Sequence, residues 1–250
     1  MSKTALITGA TAGFGKAMAE RYAAEGWNLI LTGRRKERLE ELQQALAPAK
    51  VHTLTFDIRE KQACFDAVEQ LPAAFKAIDV LVNNAGLALG LDPAQSCDLD
   101  DWETMIDTNV KGLMYMTRAL LPSMVERNTG HIVNLGSVAG TYPYPGGNCY
   151  GGTKAFVNHF SKNLLADLLG TQIRVTNIEP GLCESEFSVV RFKGDKESAD
   201  KVYQGTQPIK PEDIAEIVYW TTTLPAHINI NSLEVMPVDQ AFSPFAINRK

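Results

Sequence analysis

The chain has 250 residues, with 24 Lys and Arg against 29 Asp and Glu, a net charge of −5, 45% hydrophobic and 21% charged residues. That balance excludes a nucleic-acid-coating chain and a disordered or fibrous one, and the length suits one large α/β domain better than two small ones. No apolar run reaches the roughly 18 residues that cross a bilayer, and the strand-like Thr4-Ala5-Leu6-Ile7 begins almost at once, without room for a secretory leader, so the expectation is a cytoplasmic protein with neither a membrane nor a nucleic-acid partner.

Short β-branched runs alternate with stretches of helical period, the order produced by parallel strands joined through crossover helices. The pattern predicts a strand over 3–8, a helix over 14–25, a strand over 28–32, a helix over 35–47, a strand over 51–55, a helix over 59–74 and a strand over 78–83. It continues with a helix over 100–126, a strand over 130–136, a helix over 149–169, a strand over 173–178, a helix over 211–222 and a strand over 232–236. The expected fold is α/β, a single Rossmann domain over 1–250: a doubly wound sheet of about seven parallel strands with helices on both faces. Residues 182–208 break the rhythm with the charged run Arg191-Phe192-Lys193-Gly194-Asp195-Lys196-Glu197 and read as a substrate lid or a disordered loop. After the last strand, Phe242, Phe245 and Ile247 either cover the sheet edge or meet another subunit.

Cys64, Cys97, Cys149 and Cys183 are too widely spaced for a CxxC site or a disulfide scaffold and read as buried, reduced thiols. His52, His131, His159 and His227 are equally scattered, so no metal is expected.

The first strand runs into Thr8-Gly9-Ala10-Thr11-Ala12-Gly13-Phe14-Gly15 and then a helix. Gly9 permits the tight turn, Gly13 and Gly15 admit a pyrophosphate close to the backbone, and the helix N-terminus offers free N–H groups and a positive dipole end. A ligand-free glycine turn is the alternative, and the strand-to-helix context favours the dinucleotide. The second strand ends in Gly33-Arg34-Arg35, without the acid that would meet a free adenosine ribose. Guanidinium forks match a ribose 2′-phosphate, which favours NADP over NAD; otherwise Arg34-Arg35-Lys36 merely opens a solvated helix.

Tyr150 and Lys154 lie four apart on one helical face, where an ammonium can acidify a phenol. Work near neutrality requires a drop of roughly three pKa units, about 4 kcal/mol. Alone the pair is weak, since about 0.4 Tyr-x-x-x-Lys matches arise by chance in such a chain. Its company strengthens it. Ser137 follows a strand at the carboxyl edge where open α/β sheets bind ligands, as do Asn83-Asn84-Ala85-Gly86 and Pro180-Gly181. Asn109 lies on the apolar stripe Trp102, Ile106, Leu113, either as a functional amide or as a satisfied core asparagine.

These residues resemble the short-chain dehydrogenase/reductase family over nearly the whole chain, in Thr8 to Gly15, Asp57, Asn83 to Gly86, Asn109, Ser137, Tyr150, Lys154 and Pro180-Gly181. The resemblance implies NADP-linked hydride transfer and a catalytic tetrad: Tyr150 as acid/base, Ser137 holding the substrate oxygen, Lys154 lowering the tyrosine pKa and gripping the nicotinamide ribose, and Asn109 positioning a relay water. It implies a cofactor site of Gly9, Ala10, Thr11, Ala12, Gly13, Phe14, Gly15, Arg34, Arg35, Asp57, Ile58, Asn84, Ala85, Gly86, Pro180, Gly181, Cys183 and Ser185, together with Asn109, Tyr150 and Lys154. Asp57 would contact the adenine. The stretches Gly33-Arg34-Arg35, Asp101 to Asn109, Ile178 to Leu182 and Leu224 to Asn231 are similar to the NADP-dependent members acting on 3-hydroxy acids such as serine, allo-threonine and 3-hydroxypropionate, or reducing malonic semialdehyde. Ser185 replaces the threonine usual in that subgroup and keeps its hydroxyl.

A hydroxy acid needs a cation for its carboxylate, and Arg191 or Lys193 of the lid is the candidate, against a merely solvated loop. Ser137, Tyr150 and Arg191 are thus the expected substrate contacts. Tyr142-Pro143-Tyr144-Pro145 is either an apolar pocket wall or a rigid turn. The resemblance favours a homotetramer. A broad carbonyl or ketoacyl reductase is the rival activity, and a non-catalytic NADP(H) sensor the rival from another class.

Overall fold

Ala5 and Ile7 of β1 (Thr4–Ile7) face one helical layer and Leu6 the other, so every residue of this strand is buried. The computed structural model of the chain describes residues 2–241. Around β1 lie β2 (Asn28–Gly33), β3 (Val51–Thr55), β4 (Val80–Asn83), β5 (Gly130–Leu135), β6 (Ile173–Pro180) and β7 (Ser232–Val235). They form one parallel sheet in the order β3-β2-β1-β4-β5-β6-β7. The order reverses between β1 and β4, and a crevice opens beyond the carboxyl ends of the strands there.

One face is covered by α1 (Gly13–Ala24), α2 (Lys36–Ala45) and, late in the chain, α9 (Pro211–Thr223). α1 docks on α9 through Tyr22, whose hydroxyl lies 2.7 Å from Thr222 Oγ1 and whose ring meets Trp27 and Tyr219 edge-on. The other face carries α3 (Lys61–Glu69), α5 (Leu113–Arg127) and α6 (Asn148–Asp167), with Met116, Leu120 and Leu164 over Leu6, Leu81 and Ile132.

Four local expectations change. The helix expected over 59–74 stops with α3, and a 3₁₀ turn, Ala73–Phe75, follows Pro72. The long helix over 100–126 is divided into α4 (Leu99–Ile106), a π-helical turn at Asp107–Gly112, and α5. The wide turn carries Asn109 toward the loop after β4, as described below. Residues 182–208 contain two short helices, α7 (Glu186–Arg191) and α8 (Lys196–Lys201), capped by Ser185 and Asp195. All four cysteines are free thiols, but only Cys64 is buried, the other three being half-buried. Phe242, Phe245 and Ile247 lie outside the described residues.

Candidate active site

The carboxyl ends of β1, β2, β4, β5 and β6 open into a cleft of about 660 Å³, roofed by α7. Its floor begins with the glycine loop. Gly9 has φ +67°, and a Cβ there would stand 2.9 Å from the Ala85 backbone. A Cβ on Gly15 would strike the Gly9 carbonyl oxygen and lie 2.6 Å from Asn84 Nδ2, while one on Gly33 would meet Thr11 Cγ2 at 2.8 Å. The loop is pinned to its neighbour by Thr8 Oγ1, which accepts from the backbone N–H groups of Asn84 and Ala85 at 3.0 Å each, and by Asn84 Nδ2 donating to Thr8 O at 2.8 Å. Ala12, the N-cap of α1, supplies no side-chain cap, and the first turn holds no acid. A helix start so stripped of its own anions fits a phosphate.

At the end of β2, Arg34 lies on the cleft wall with its guanidinium largely exposed and its nearest carboxylate, Asp57, 4.0 Å away. Arg35 donates through Nε and Nη2 to Thr11 Oγ1 at 3.0 and 2.7 Å and through Nη1 to Glu186 at 3.2 Å. The Asp57 carboxylate is taken up by a two-pronged bond from Arg59, which, with burial opposing it, holds its pKa below the usual range. Its expected adenine contact therefore does not fall to a free carboxylate. Glycine cradle, bare helix start and the largely exposed Arg34, held only by a long ion pair to Asp57, together fit a dinucleotide carrying a third phosphate.

On the opposite wall, α6 presents Tyr150 and Lys154 from one face, both buried. Lys154 Nζ donates to the Leu135 carbonyl at 2.7 Å and sits 5.7 Å from the Tyr150 ring centroid. Burial draws the ammonium down to about 8. Burial also pushes the Tyr150 phenol up to about 12, against a hydrogen bond from Ser137 and the positive charge of Arg191. In the chain by itself burial outweighs the charges and bonds that would acidify the phenol, and the Lys154 ammonium is directed at the Leu135 carbonyl. Ser137, the N-cap of the turn Val138–Gly140, accepts from Ala139 N at 3.1 Å and faces Tyr150.

Asn109 stands behind this wall. Its Oδ1 accepts from Leu87 N at 2.9 Å, and its Nδ2 donates to Leu87 O at 2.8 Å and Thr153 Oγ1 at 3.1 Å. Both Nδ2 hydrogens are thus engaged, while Oδ1 has accepted one bond. Its Oδ1 and Lys154 Nζ would lie 3.2 and 3.6 Å from a Cβ on Gly86, so a bare glycine lets the three meet. Ala10 and Gly15 are likewise buried beneath the loop, whereas the remaining predicted residues, from Gly9 to Arg191, line the cleft. Among them Ile58 packs against the π turn, where a Cβ on Gly112 would meet it at 2.9 Å.

The lid separates its two candidate cations. Lys193 is tied to Asp101 at 2.8 Å and reaches Asp98 at 3.8 Å. Arg191 turns inward: its guanidinium carbon stands 5.0 Å from the Tyr150 centroid and 5.2 Å from that of Phe187, and its Nη2 donates to Tyr144 Oη at 2.7 Å. Its Nε is buried without a hydrogen-bond partner among the described residues. Tyr142, Pro143 and Tyr144 do form a wall of the cleft. Sequence reasoning missed Gln240, whose Oε1 accepts from Leu182 N at 2.7 Å, and Tyr203, which braces Cys183 O and Ser188 at 2.9 and 2.5 Å. Neither sits in a motif. It also missed Glu186 and Arg38, whose pairing needs two elements almost 150 residues apart to meet.

The family model described as short chain dehydrogenase matches residues 3–196. The chain is 58% identical over 245 residues, 98% of each chain, to the NADP-dependent 3-hydroxy acid dehydrogenase YdfG of Salmonella typhi. It is 54% identical over 251 residues, the whole of both chains, to sulfoacetaldehyde reductase 2 of Chromohalobacter salexigens. Among solved structures, the closed form of serine dehydrogenase complexed with NADP+ superposes with a TM-score of 0.96 at 55% identity, covering 99% of this chain and 100% of that one.

Proposed function

The chain belongs to the short chain dehydrogenase family, and from that premise we propose that it is an NADP-dependent oxidoreductase whose substrates are short 3-hydroxy acids and the matching carbonyl acids, of the serine, allo-threonine and 3-hydroxypropionate class. When bound, NADP(H) supplies or accepts the hydride at the carbinol carbon. The glycine loop and the start of α1 would hold its pyrophosphate, and Arg34 and Arg35 its 2′-phosphate.

The chain's own residues do the rest. Tyr150 gives its proton to the carbonyl oxygen in reduction and recovers it in oxidation, while Ser137 donates a hydrogen bond to the same oxygen. The phenol, pushed up to about 12 by burial, is protonated at neutral pH and ready for the reductive direction. Lys154 places a positive charge beneath the ring, and Asn109 is a positioning residue that fixes the Leu87 loop beside it.

Arg191 carries the substrate reading. It is a cation brought over the reacting phenol with a buried, unpartnered N–H, in a site otherwise walled by aromatic rings. Such a group is costly to bury unless an anion completes it. The fork suits a carboxylate, and the relative acting on a sulfonated aldehyde is consistent with an anionic substrate. The test is a panel of 3-hydroxy acids, neutral alcohols and ketoacyl thioesters, followed by NADPH absorbance for wild type and Arg191→Ala. We expect KM for the acids to rise at least tenfold in the variant while neutral alcohols change less than about twofold, a charged bond being worth about 1.5–3 kcal/mol. Thioester turnover indifferent to Arg191 would instead favour a broad ketoacyl reductase.

The proposed assembly is a cytoplasmic homotetramer. Large apolar side chains left exposed on α4 and α5, Ile106 and Met114, support association. Sedimentation showing a monomer at micromolar concentration would refute it. Among the described residues no helix is long and apolar enough to cross a membrane.

A further inference from the structure

Glu186, the first residue of α7, reaches back across the cleft to the wall that ends β2. Its Oε1 accepts from Arg38 Nη1 at 2.9 Å, and its Oε2 from Arg38 Nη1 and Arg35 Nη1 at 3.2 Å each. Burial raises its carboxyl, but the bonds from Arg38 and Arg35 more than cancel that and hold it below the usual carboxylate range. The lid is therefore fastened at this end by an ionised acid on an arginine that faces the cofactor cleft.

The two sides of Arg35 are used differently. Nε and Nη2 both rest on the neutral hydroxyl of Thr11, which a phosphate oxygen can replace at little electrostatic cost. Nη1 is committed to Glu186. The other acid on this wall, Asp57, is already spent on Arg59. A dianionic phosphate arriving at Arg34 and Arg35 must take Nη1 from the Glu186 carboxylate or sit beside it, and either outcome works against binding.

We propose that Glu186 is a specificity-determining residue that opposes the 2′-phosphate. Lid fastening and phosphate capture draw on the same guanidinium donors, so NADP(H) binds less tightly, and leaves more readily, than Arg34 and Arg35 alone would dictate. This rests on the NADP reading above. NAD(H) lacks the phosphate and does not meet the conflict, so the effect of Glu186 falls on the ratio of the two affinities.

The experiment is calorimetric titration of the whole protein with NADP+ and with NAD+, without substrate, for wild type, Glu186→Gln and Arg35→Ala. Glutamine keeps the size of the side chain at an exposed position, and a melting curve checks the fold. For Glu186→Gln we expect the NADP+ Kd to fall about fivefold relative to that of NAD+, with the gap shrinking as salt rises from about 50 mM to 0.5 M, since exposed charges are screened. Loosening of the lid alone would shift both coenzymes together and leave the ratio untouched. An unchanged ratio, or one moved toward NAD+, overturns the proposal. Arg35→Ala separates the two failures: if it leaves the preference for NADP+ intact, the 2′-phosphate reading itself is wrong, whereas a lost preference beside an inert Glu186→Gln condemns only the role of Glu186.

Discussion

The glycine loop after β1 and the lid after β6 are opposite walls of one cleft, and they are held by different physics. The loop is fastened by part-buried, uncharged bonds, Thr8 Oγ1 to two backbone amides and Asn84 to the Thr8 carbonyl, and by Gly9 and Gly15, where a Cβ would collide. The lid has part-buried braces of its own, Tyr203 to Cys183 O and Ser188 and Arg191 to Tyr144, but its ties to the β2 wall and to α4 are ion pairs at or near the surface, Glu186 with Arg35 and Arg38, and Lys193 with Asp101. Bonds of the first kind are insensitive to salt and costly to leave unmade, while bonds of the second kind are individually weak and screened. The difference assigns a permanent cradle to the cofactor and a releasable cover to the substrate.

The contrast can be tested by breaking each side. The largest effect belongs to the buried face of α6 that lines the same cleft: Tyr150→Phe removes one oxygen and keeps the ring that packs on Phe187 at 5.5 Å. We expect kcat to drop about 10³-fold, within the range of a lost general acid, with the NADP+ Kd nearly unchanged. A variant retaining most of its NADP-dependent turnover would remove Tyr150 from the chemistry.

Lys154→Met sharpens the same side by separating activity from stability. The folded chain holds this ammonium at about 8 against an ordinary 10.5. Below pH 8 the cost of burying the charge is fully present. Between pH 8 and 10.5 the unfolded chain binds more protons than the folded one, so stability rises with pH, and above 10.5 the cost is gone. Methionine fills the space without the charge but loses the bond to Leu135 O. Net stabilisation of about 1–2 kcal/mol is expected at pH 7, fading as pH rises toward 10.5, while turnover falls at least about 10²-fold. Denaturant melts at pH 7, 9 and 10.5 give the answer; a variant less stable at pH 7, with no trend in pH, contradicts it.

The same division governs what could be read from the sequence. The β1 loop and the Tyr150–Lys154 pair were legible because each lies within one short segment whose period fixes its geometry: Gly9 to Gly15 across a strand–helix junction, and residues four apart on α6. The sheet was legible for a related reason, since buried parallel strands print continuous apolar runs. The π turn was not, because the stripe Trp102, Ile106, Asn109 continues through it, and only the distant Leu87 backbone and Thr153 show why the helix widens there. The pairings of Glu186 and Lys193 were not legible either, the first lying unremarked in the irregular stretch 182–208 and the second reading as a cation for a substrate carboxylate, because their partners, Arg35, Arg38 and Asp101, come from other elements. α7 and α8, capped by Ser185 and Asp195, were not foreseen, because six-residue helices are too short to show a period.

The smallest expected effect lies at the far end of the lid. Lys193 sits just past α7 at φ +51°, its ammonium more than half exposed and 2.8 Å from the mostly buried Asp101 carboxylate. It also stands next to the segment whose Arg191 carbonyl accepts from Gly90 N at 3.0 Å, so its ion pair backs up a main-chain bond that survives substitution. Lys193→Ala should therefore raise KM for the acid substrates only about two- to fivefold, leave kcat nearly constant and move the melting temperature little, as for exposed pairs in general. Lys193→Gly loses the same ion pair but relaxes the left-handed backbone, so it should melt slightly higher than the alanine variant while showing the same KM. Raising salt should push the wild-type KM toward that of the variants. If Lys193→Ala instead unfolds the protein or abolishes turnover, this end of the lid is part of the rigid scaffold, and the division between a permanent cradle and a releasable cover is wrong.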